Sequence, residues 1–528
     1  MTRRSSSRPD PVAFSTVTTT IPARLDRLPW SRWHWTVVVG LGAVWILDGL
    51  EVTVVGSVAS RLAEEGSGLP ITVAQVTGTA AALYVAGACL GALFFGRLTD
   101  RHGRTGLFLV TLAVYVMSTA LSAASVSVWW FFLFRFLAGF GIGGEYAAVN
   151  SAIDELIPSR YRGRVDLVVN GSYWIGAMGG ALLSVVALDT RLLPRDLGWR
   201  LTFAVGVVLG LAVLLVRRRL PESPRWLLIH GREREAERLV DAIERRVERQ
   251  TGRALSPVAK EITVRQRPGV GFLEIARTLF TVYPRRAVLG FALFIGGAFL
   301  YNAITFGFGS ILVEFFGVDS GATGYWFAVV AFGNFLGPLL LGPLFDTWGR
   351  RPMIAGTYVL SGVLLFLTAW VFGAGLLDAT TMTMCWAVVL FFASAGVSSA
   401  YLTVSEIFPM ETRAMSIAFF YALGTAAGGI SGPLVFADLT SSGRVDDAVL
   451  AFCVGAALMV LAGLVAAVFA VPAERRSLED IAAPLSALDP GAPAGPGRSG
   501  GRDGSGAPGE AGEGEYGDPG ERSGIPGG

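Results

Sequence analysis

Lysine is all but missing from this chain. Of 43 basic residues in 528, Lys260 is the lone lysine, and Ala259 precedes it. The phosphate-cradling loop of an ATP-driven pump ends in Gly-Lys-Ser/Thr, so that loop is excluded. Any work the protein does draws on a gradient or on its substrate. Cysteine and histidine are scarce too: Cys89, Cys385 and Cys453 stand singly in apolar runs, and His34, His102 and His230 are far apart. Neither set has disulfide or zinc spacing, so they read as packing and interfacial residues, with no cofactor and no metal. Charge itself is thin. Only 16% of residues are charged, against about 25% in soluble proteins. The net charge of +2 gives no electrostatic case for nucleic acid.

What remains is apolar. Hydrophobic residues make up 52% of the chain, mean hydropathy is +0.54, and the apolar residues come in blocks. Runs of about 18–25 residues cross a bilayer as helix. Twelve such spans are expected, roughly 35–58, 73–96, 105–124, 128–152, 166–188 and 199–216, then 287–315, 322–345, 352–375, 380–404, 414–437 and 447–471. The first 33 residues are polar and arginine-bearing, without the apolar core of a cleaved signal. Arginines crowd the amino tail, the Arg97–Arg104 and Arg160–Arg164 turns, the 217–286 loop, Arg350-Arg351 and Arg475-Arg476. Alternate loops hold few, with Arg191 and Arg195 the exception, so both termini are expected in the cytoplasm. Residues 232–253 carry Glu and Arg at helical spacing around Leu239, Val240, Ile243 and Val247, which predicts amphipathic helix. Beyond about 484 the chain is Gly, Pro, Ser, Ala and charge, expected to be disordered.

The chain also repeats itself at an interval near 250 residues. Gly96-Arg97-Leu98-Thr99-Asp100-Arg101-His102-Gly103-Arg104 returns around Asp346, Gly349 and Arg350. Glu155-Leu156-Ile157-Pro158 with Arg162 returns as Glu406-Ile407-Phe408-Pro409 with Arg413. Pro221-Glu222-Ser223-Pro224-Arg225 has a looser partner in Pro472-Ala473-Glu474-Arg475-Arg476. Two copies of one membrane bundle place a substrate at the seam between them. A dinucleotide-like Gly139-x-Gly141-x-x-Gly144 lies inside one apolar run rather than after a strand, so its glycines are expected to pack helices.

Charges inside the spans are the sharper signal, because they are costly there and face the bundle interior. Asp48 and Glu51 fall in the first span, Arg135 and Glu145 in the fourth. Glu51 and Arg135 are each about seven residues from the outer end, roughly 10 Å deep at 1.5 Å per residue, so they can meet. A carboxylate beside arginine stays ionised, and one that loses that partner takes up a proton. Asp48, Glu51 and Arg135 are therefore the expected proton-coupling set. A static ion pair joining two helices is the alternative.

The signature clusters resemble those of the major facilitator superfamily over residues 34–483. Arg135 with Gly139/Gly141/Gly143, Glu155–Arg162-Gly163-Arg164, Pro221–Leu227 and Arg476-Ser477-Leu478-Glu479-Asp480 are similar to the sugar-porter and metabolite–proton symporter branch. The resemblance implies an all-α membrane protein of twelve transmembrane helices in two six-helix bundles working by alternating access. Its domains would be an amino tail (1–33), a first bundle (34–216), a loop (217–286), a second bundle (287–471) and a tail (472–528). It further implies a gating network on the cytoplasmic side, from Gly96, Asp100, Arg101, Arg104, Glu155, Arg162, Glu222 and Arg225, and from Asp346, Arg350, Glu406 and Arg413.

Where hexose porters carry paired glutamines on the seventh span, this chain reads Gly296-Gly297-Ala298-Phe299-Leu300-Tyr301-Asn302. Gly143-Gly144-Glu145 is closer to organic-acid and SV2-like relatives. Candidate substrate contacts are Glu145, Asn170, Tyr173, Trp174, Tyr301, Asn302, Thr305, Asn334, Tyr401 and Tyr421, each also open to a packing role. The expected function is secondary transport of a small polar metabolite, an organic or aromatic acid or a sugar-like compound, by proton symport in the cell membrane. The expected partners are substrate, protons and lipid, and the expected form is a monomer. A proton-driven exporter and a transporter-like sensor are the alternatives. An enzyme is not expected.

Overall fold

The computed structural model describes residues 16–482, except 73–74, 104, 218–221, 259–260, 266–276, 278, 320–321, 409–412, 441 and 477. Arg104 and the tail expected to be disordered lie outside the described residues, as does the side chain of Asp100.

Apolar composition over three to eight turns makes helix the cheapest way to satisfy a backbone in lipid. Among the described residues eleven helices are long and apolar enough to cross a bilayer. The first six spans are Arg32–Leu62, Ala81–His102, Thr105–Ala123, Val128–Leu156, a broken fifth, and Arg195–Arg217. The second six begin with Pro284–Phe316, Thr323–Thr347, Arg350–Gly373 and Ala379–Ile407. The eleventh runs Arg413–Gly424 and Ile430–Thr440 around a π-helical turn, and the twelfth is Val445–Phe469. The fifth is Ser159–Gly171 followed by Tyr173–Ala187. The break leaves parts of 13 and 15 residues, each too short to span alone, so the fifth is not among the eleven; its first part carries Arg160, Arg162, Arg164 and Asp166. At the break, Ser172 Oγ donates to Gly42 O (3.0 Å) and Val169 O (2.6 Å).

The packing repeats as the sequence does. In the first half the second span packs on the fourth, the third on the fourth and sixth, and the first on the fifth and sixth. Adding six to each number gives the contacts of the second half. The halves meet where the fifth lies on the eighth and the second on the eleventh, again equivalent pairs. Glycine permits the approach. A Cβ on Gly139 or Gly143 would lie 2.0 Å from the carbonyl oxygens of Tyr84 or Ala88 on the second span. The dinucleotide-like motif is thus a helix-packing surface, as expected.

On the face that carries the amino-terminal segment, loop and tail form a small clasp. Thr16–Thr19 pairs antiparallel with Ile262–Arg265, a short strand pair that an all-helical reading did not foresee. The helix Ile21–Asp26 docks on Glu233–Thr251, which buries Ala236, Val240, Ile243 and Val247. Arg24 meets Glu237 and Asp241 at 2.6 Å and Glu244 at 2.5 Å, and Arg27 meets Glu244 at 2.5 Å. Burial pushes the Glu244 carboxyl up. Hydrogen bonds from Arg24 and Arg27 outweigh it and leave Glu244 below its ordinary range.

Candidate functional site

Asp48 and Glu51 are three residues apart, so a helix puts them on adjoining faces. Their surroundings differ. Glu51 accepts from Arg135, as the depth argument expected, and from Thr119 Oγ1 at 2.9 Å. Asp48 has two phenols instead: Tyr84 OH donates to Oδ1 and Tyr146 OH to Oδ2, both at 2.6 Å. All three charged groups are buried, and the Arg135 guanidinium lies 4.6 Å from the centre of the Tyr84 ring. Between the two acids, a Cβ on Gly49 would lie 1.9 Å from Tyr173 O, so the first span is pressed on the fifth here.

Asp48 and Arg135 both line a cavity of about 220 Å³ at the seam of the halves, whereas Glu51 stands behind it. The first half contributes Trp45, Tyr84, Tyr146, Asn170, Tyr173 and Trp174. The second contributes Phe294, Tyr301, Asn302, Thr305, Tyr401 and Tyr421 among others. Most of these polar side chains are aromatic and in mutual contact. Tyr146 stacks on Trp45 at 4.9 Å and meets Tyr421 at 4.5 Å, Tyr401 meets Trp45 edge-on at 5.6 Å, and Trp174 faces Tyr301 at 5.3 Å. Among the described residues, Trp45 Nε1, Arg135 Nε and Asn170 Oδ1 are buried without a hydrogen-bond partner. Two donors and an acceptor are therefore left unpaired on residues that line a flat, aromatic space.

The other expected contacts are placed as follows. Asn302 lines the cavity but donates to Ala298 O (2.7 Å). Asn334 accepts from Tyr301 OH (2.8 Å), one layer back. Glu145 accepts from Thr111 on the third span and does not line the cavity, because its position on the fourth span turns it toward the third.

The residues expected to form a gate are joined by ion pairs and hydrogen bonds across the seam, here called the latch. Asp346 of the eighth span accepts from the backbone nitrogens of Gly163 and Arg164 at 3.0 Å each. Arg350 grips Glu406 through Nε and Nη2, 3.0 Å each, and Asp346 through Nη1 at 2.9 Å. Arg162 reaches Glu406 at 3.5 Å, and Asp154 and Asp26 at 3.8 Å. Arg413 faces Asp154 at 3.8 Å and Glu155 at 4.0 Å. Glu155 accepts from Ser223, and Arg225 donates to the Glu155 carbonyl at 3.3 Å. Glu222 accepts from Thr105 N at 3.1 Å, where the third span starts after Gly103, and Glu474 does the same for Arg350 N at 3.3 Å after Gly349. Both glycines have positive φ, and a carboxylate at a helix amino end complements its dipole. Gly96 is buried in the second span and Arg101 is exposed at its end.

Sequence reasoning missed Trp45, Tyr84, Tyr146, Asp154 and Glu474. Glu474 was within reach, since the repeat already aligned it with Glu222. Asp154 was masked by its neighbour Glu155. An aromatic in an apolar run carries no local mark of the carboxylate it will meet.

A family model described as sugar (and other) transporter matches residues 31–484. The niacin transporter of Acinetobacter baylyi is 28% identical over 419 residues, 78% of this chain and 89% of that protein. A putative metabolite transport protein of Bacillus subtilis is 32% identical over 416 residues, 76% and 85%. A solved major facilitator proton:xylose symporter, bound to 6-bromo-6-deoxy-D-glucose, superposes with a TM-score of 0.69 at 18% identity, over 85% of this chain and 98% of that one.

Proposed function

The chain belongs to the sugar (and other) transporter family, within the major facilitator superfamily, and from that premise we propose that it imports a small aromatic monocarboxylate with a proton. As a member it is a multi-pass secondary transporter and not an enzyme. In this reading 34–216 and 287–471 are the rocking bundles, and the latched face is cytoplasmic in a plasma membrane.

One observation carries the proposal: Tyr146 touches both the carboxylate and the aromatic wall. It donates to Asp48 and stacks on Trp45. A planar substrate wedged against Trp45, Tyr146 and Tyr401 displaces the Tyr146 hydroxyl. Asp48 then loses a donor that favoured its ionised form and takes up a proton. Arg135, with Nε free of protein partners, receives the substrate carboxylate. Glu51 stays paired and keeps Arg135 in place. Asp48 is the proton carrier and Glu51 the positioning partner. The aromatic walls and scarcity of amides favour an aromatic acid over a hexose, in line with the niacin-transporting relative.

Proteoliposome uptake of nicotinate, benzoate and xylose under an imposed inward proton gradient tests this. Gradient-stimulated accumulation of an aromatic acid is expected, with Asp48→Asn abolishing accumulation but sparing counterflow. Xylose accumulation without either acid would overturn it.

A further inference from the structure

The fifth span carries one buried charged group that neither the latch nor the cavity uses. Asp166 is wholly buried, four residues after Arg162 and four before Asn170, one helical turn from each. Asn170 Nδ2 donates to Asp166 Oδ2 at 3.1 Å and to Asn150 Oδ1 at 2.9 Å. Asp166 Oδ1 has no hydrogen-bond partner among the described residues. Since Asn170 lines the cavity, Asp166 stands between the cavity and the latch.

The charges facing it are already engaged. Asp154 comes from the fourth span, Arg350 from the ninth, and Glu406 with the Tyr401 phenol from the tenth. Asp346 of the eighth is held a turn away on the Gly163 and Arg164 amides, and the first span brings Asp48 in the cavity. Arg350 serves Asp346 and Glu406, Arg162 serves Glu406 and Asp154, and Arg413 serves Asp154 and Glu155. The buried, described groups of this face are four arginines (162, 225, 350 and 413) against five carboxylates (Asp154, Glu155, Asp166, Asp346 and Glu406); with their partly exposed partners, Arg164 on Asp346 at 3.5 Å and Asp26 on Arg162 at 3.8 Å, they are five against six. An unmatched ionised carboxylate at this depth is costly. Neutral Asp166 balances the set. Packing does not call for an acid here: the repeat that pairs Arg162 with Arg413 pairs Asp166 with Ile417, also buried.

We propose that Asp166 is a second proton-binding carboxylate whose occupancy is tied to the latch. The latch closes over the neutral acid. When it opens, water enters, the carboxyl O–H bond breaks, the proton passes to water, and the carboxylate is left ionised and solvated. This site answers to the gate, whereas Asp48 answers to substrate. It rests on alternating access but not on the identity of the substrate or on symport.

The test uses the full chain in lipid, with Cys89, Cys385 and Cys453 replaced and spin labels on His102→Cys and Trp348→Cys, exposed positions in the equivalent turns of the two halves. Label distances are measured from about pH 5 to about pH 9, bracketing the carboxylate range. The unmodified site is expected to move from the short to the long distance as pH rises. Asp166→Asn, and independently Asp166→Leu in imitation of Ile417, are expected to stay short throughout, and Asp166→Glu to restore the response. A pH response in either neutral variant equal to that of the parent overturns the proposal. A parent that never leaves one distance, at any pH or with substrate, overturns alternating access and this proposal with it.

Discussion

Asp346 holds Gly163 across the seam by a backbone hydrogen bond of 3.0 Å, with the neighbouring Arg164 amide held by its other oxygen. The absence of a side chain at Gly163 is what admits it. A Cβ there would lie 2.3 Å from Arg350 Nη1 and 2.4 Å from Asp346 Oδ1. Neither atom can yield freely, because Arg350 is also gripped by Glu406.

Gly163→Ala is therefore expected to hold the latch open. The label pair on His102 and Trp348 should shift to the long distance at neutral pH. Gradient-driven uptake should fall about tenfold, which corresponds to roughly 1.4 kcal/mol. Unchanged label distances would show that the latch has slack.

The Glu51–Arg135 pair is buried, with Glu51 behind the cavity that Arg135 lines. Removing one partner of a buried pair typically costs about 3–5 kcal/mol. Glu51→Ala should lower the melting temperature in detergent well beyond Asp48→Asn, whose two phenols can bond an amide instead. A larger loss for Asp48→Asn would reverse the roles assigned to the two acids.

Trp45→Phe keeps the ring against Tyr146 and deletes the unpartnered Nε1–H. One neutral hydrogen bond is worth about 1 kcal/mol, so KM for the aromatic acid should rise about fivefold with kcat nearly unchanged. If KM is untouched while kcat falls, Trp45 serves the conformational step and not binding.

The clasp has its own pH dependence. Glu244 is held below its ordinary range in the folded clasp, so the stabilisation it provides is complete above its unfolded value. It is lost as pH falls through the depressed one. Protection from amide exchange over residues 16–26 and 262–265, relative to the intrinsic rate at each pH, should be high at neutral pH and fall below about pH 4. Arg24→Ala should bring that loss of protection to neutral pH.

Much of this was legible in the sequence because it depends on periodicity and on cost. Apolar run length located the spans, and the expense of charge in lipid singled out Asp48, Glu51 and Arg135. The repeat located Arg162, Arg350, Glu406 and Arg413. What stayed hidden is whatever depends on which helix faces which. Glu145 and Tyr146 are adjacent in sequence, yet one turns to Thr111 and the other to Asp48. The fifth span was legible as apolar but not as broken, since the Ser172 break is fixed by a carbonyl at Gly42 on another helix. Asp166, at the edge of an expected span, carries no mark of its own in the sequence. Its isolation is visible once every nearby arginine has been assigned.

The strand pair at Thr16–Thr19 and Ile262–Arg265 changes the mechanics of the connection between halves. By sequence the halves are joined through the whole 217–286 loop. With that connection tied back to the amino-terminal segment, what links the strand pair to the seventh span is the stretch from Arg265 to Pro284. Under the proposed rocking, motion of the second half would pull on the strand pair, which is fastened to the first half by Asp26, whose carboxylate caps Ser159 N beside Arg162.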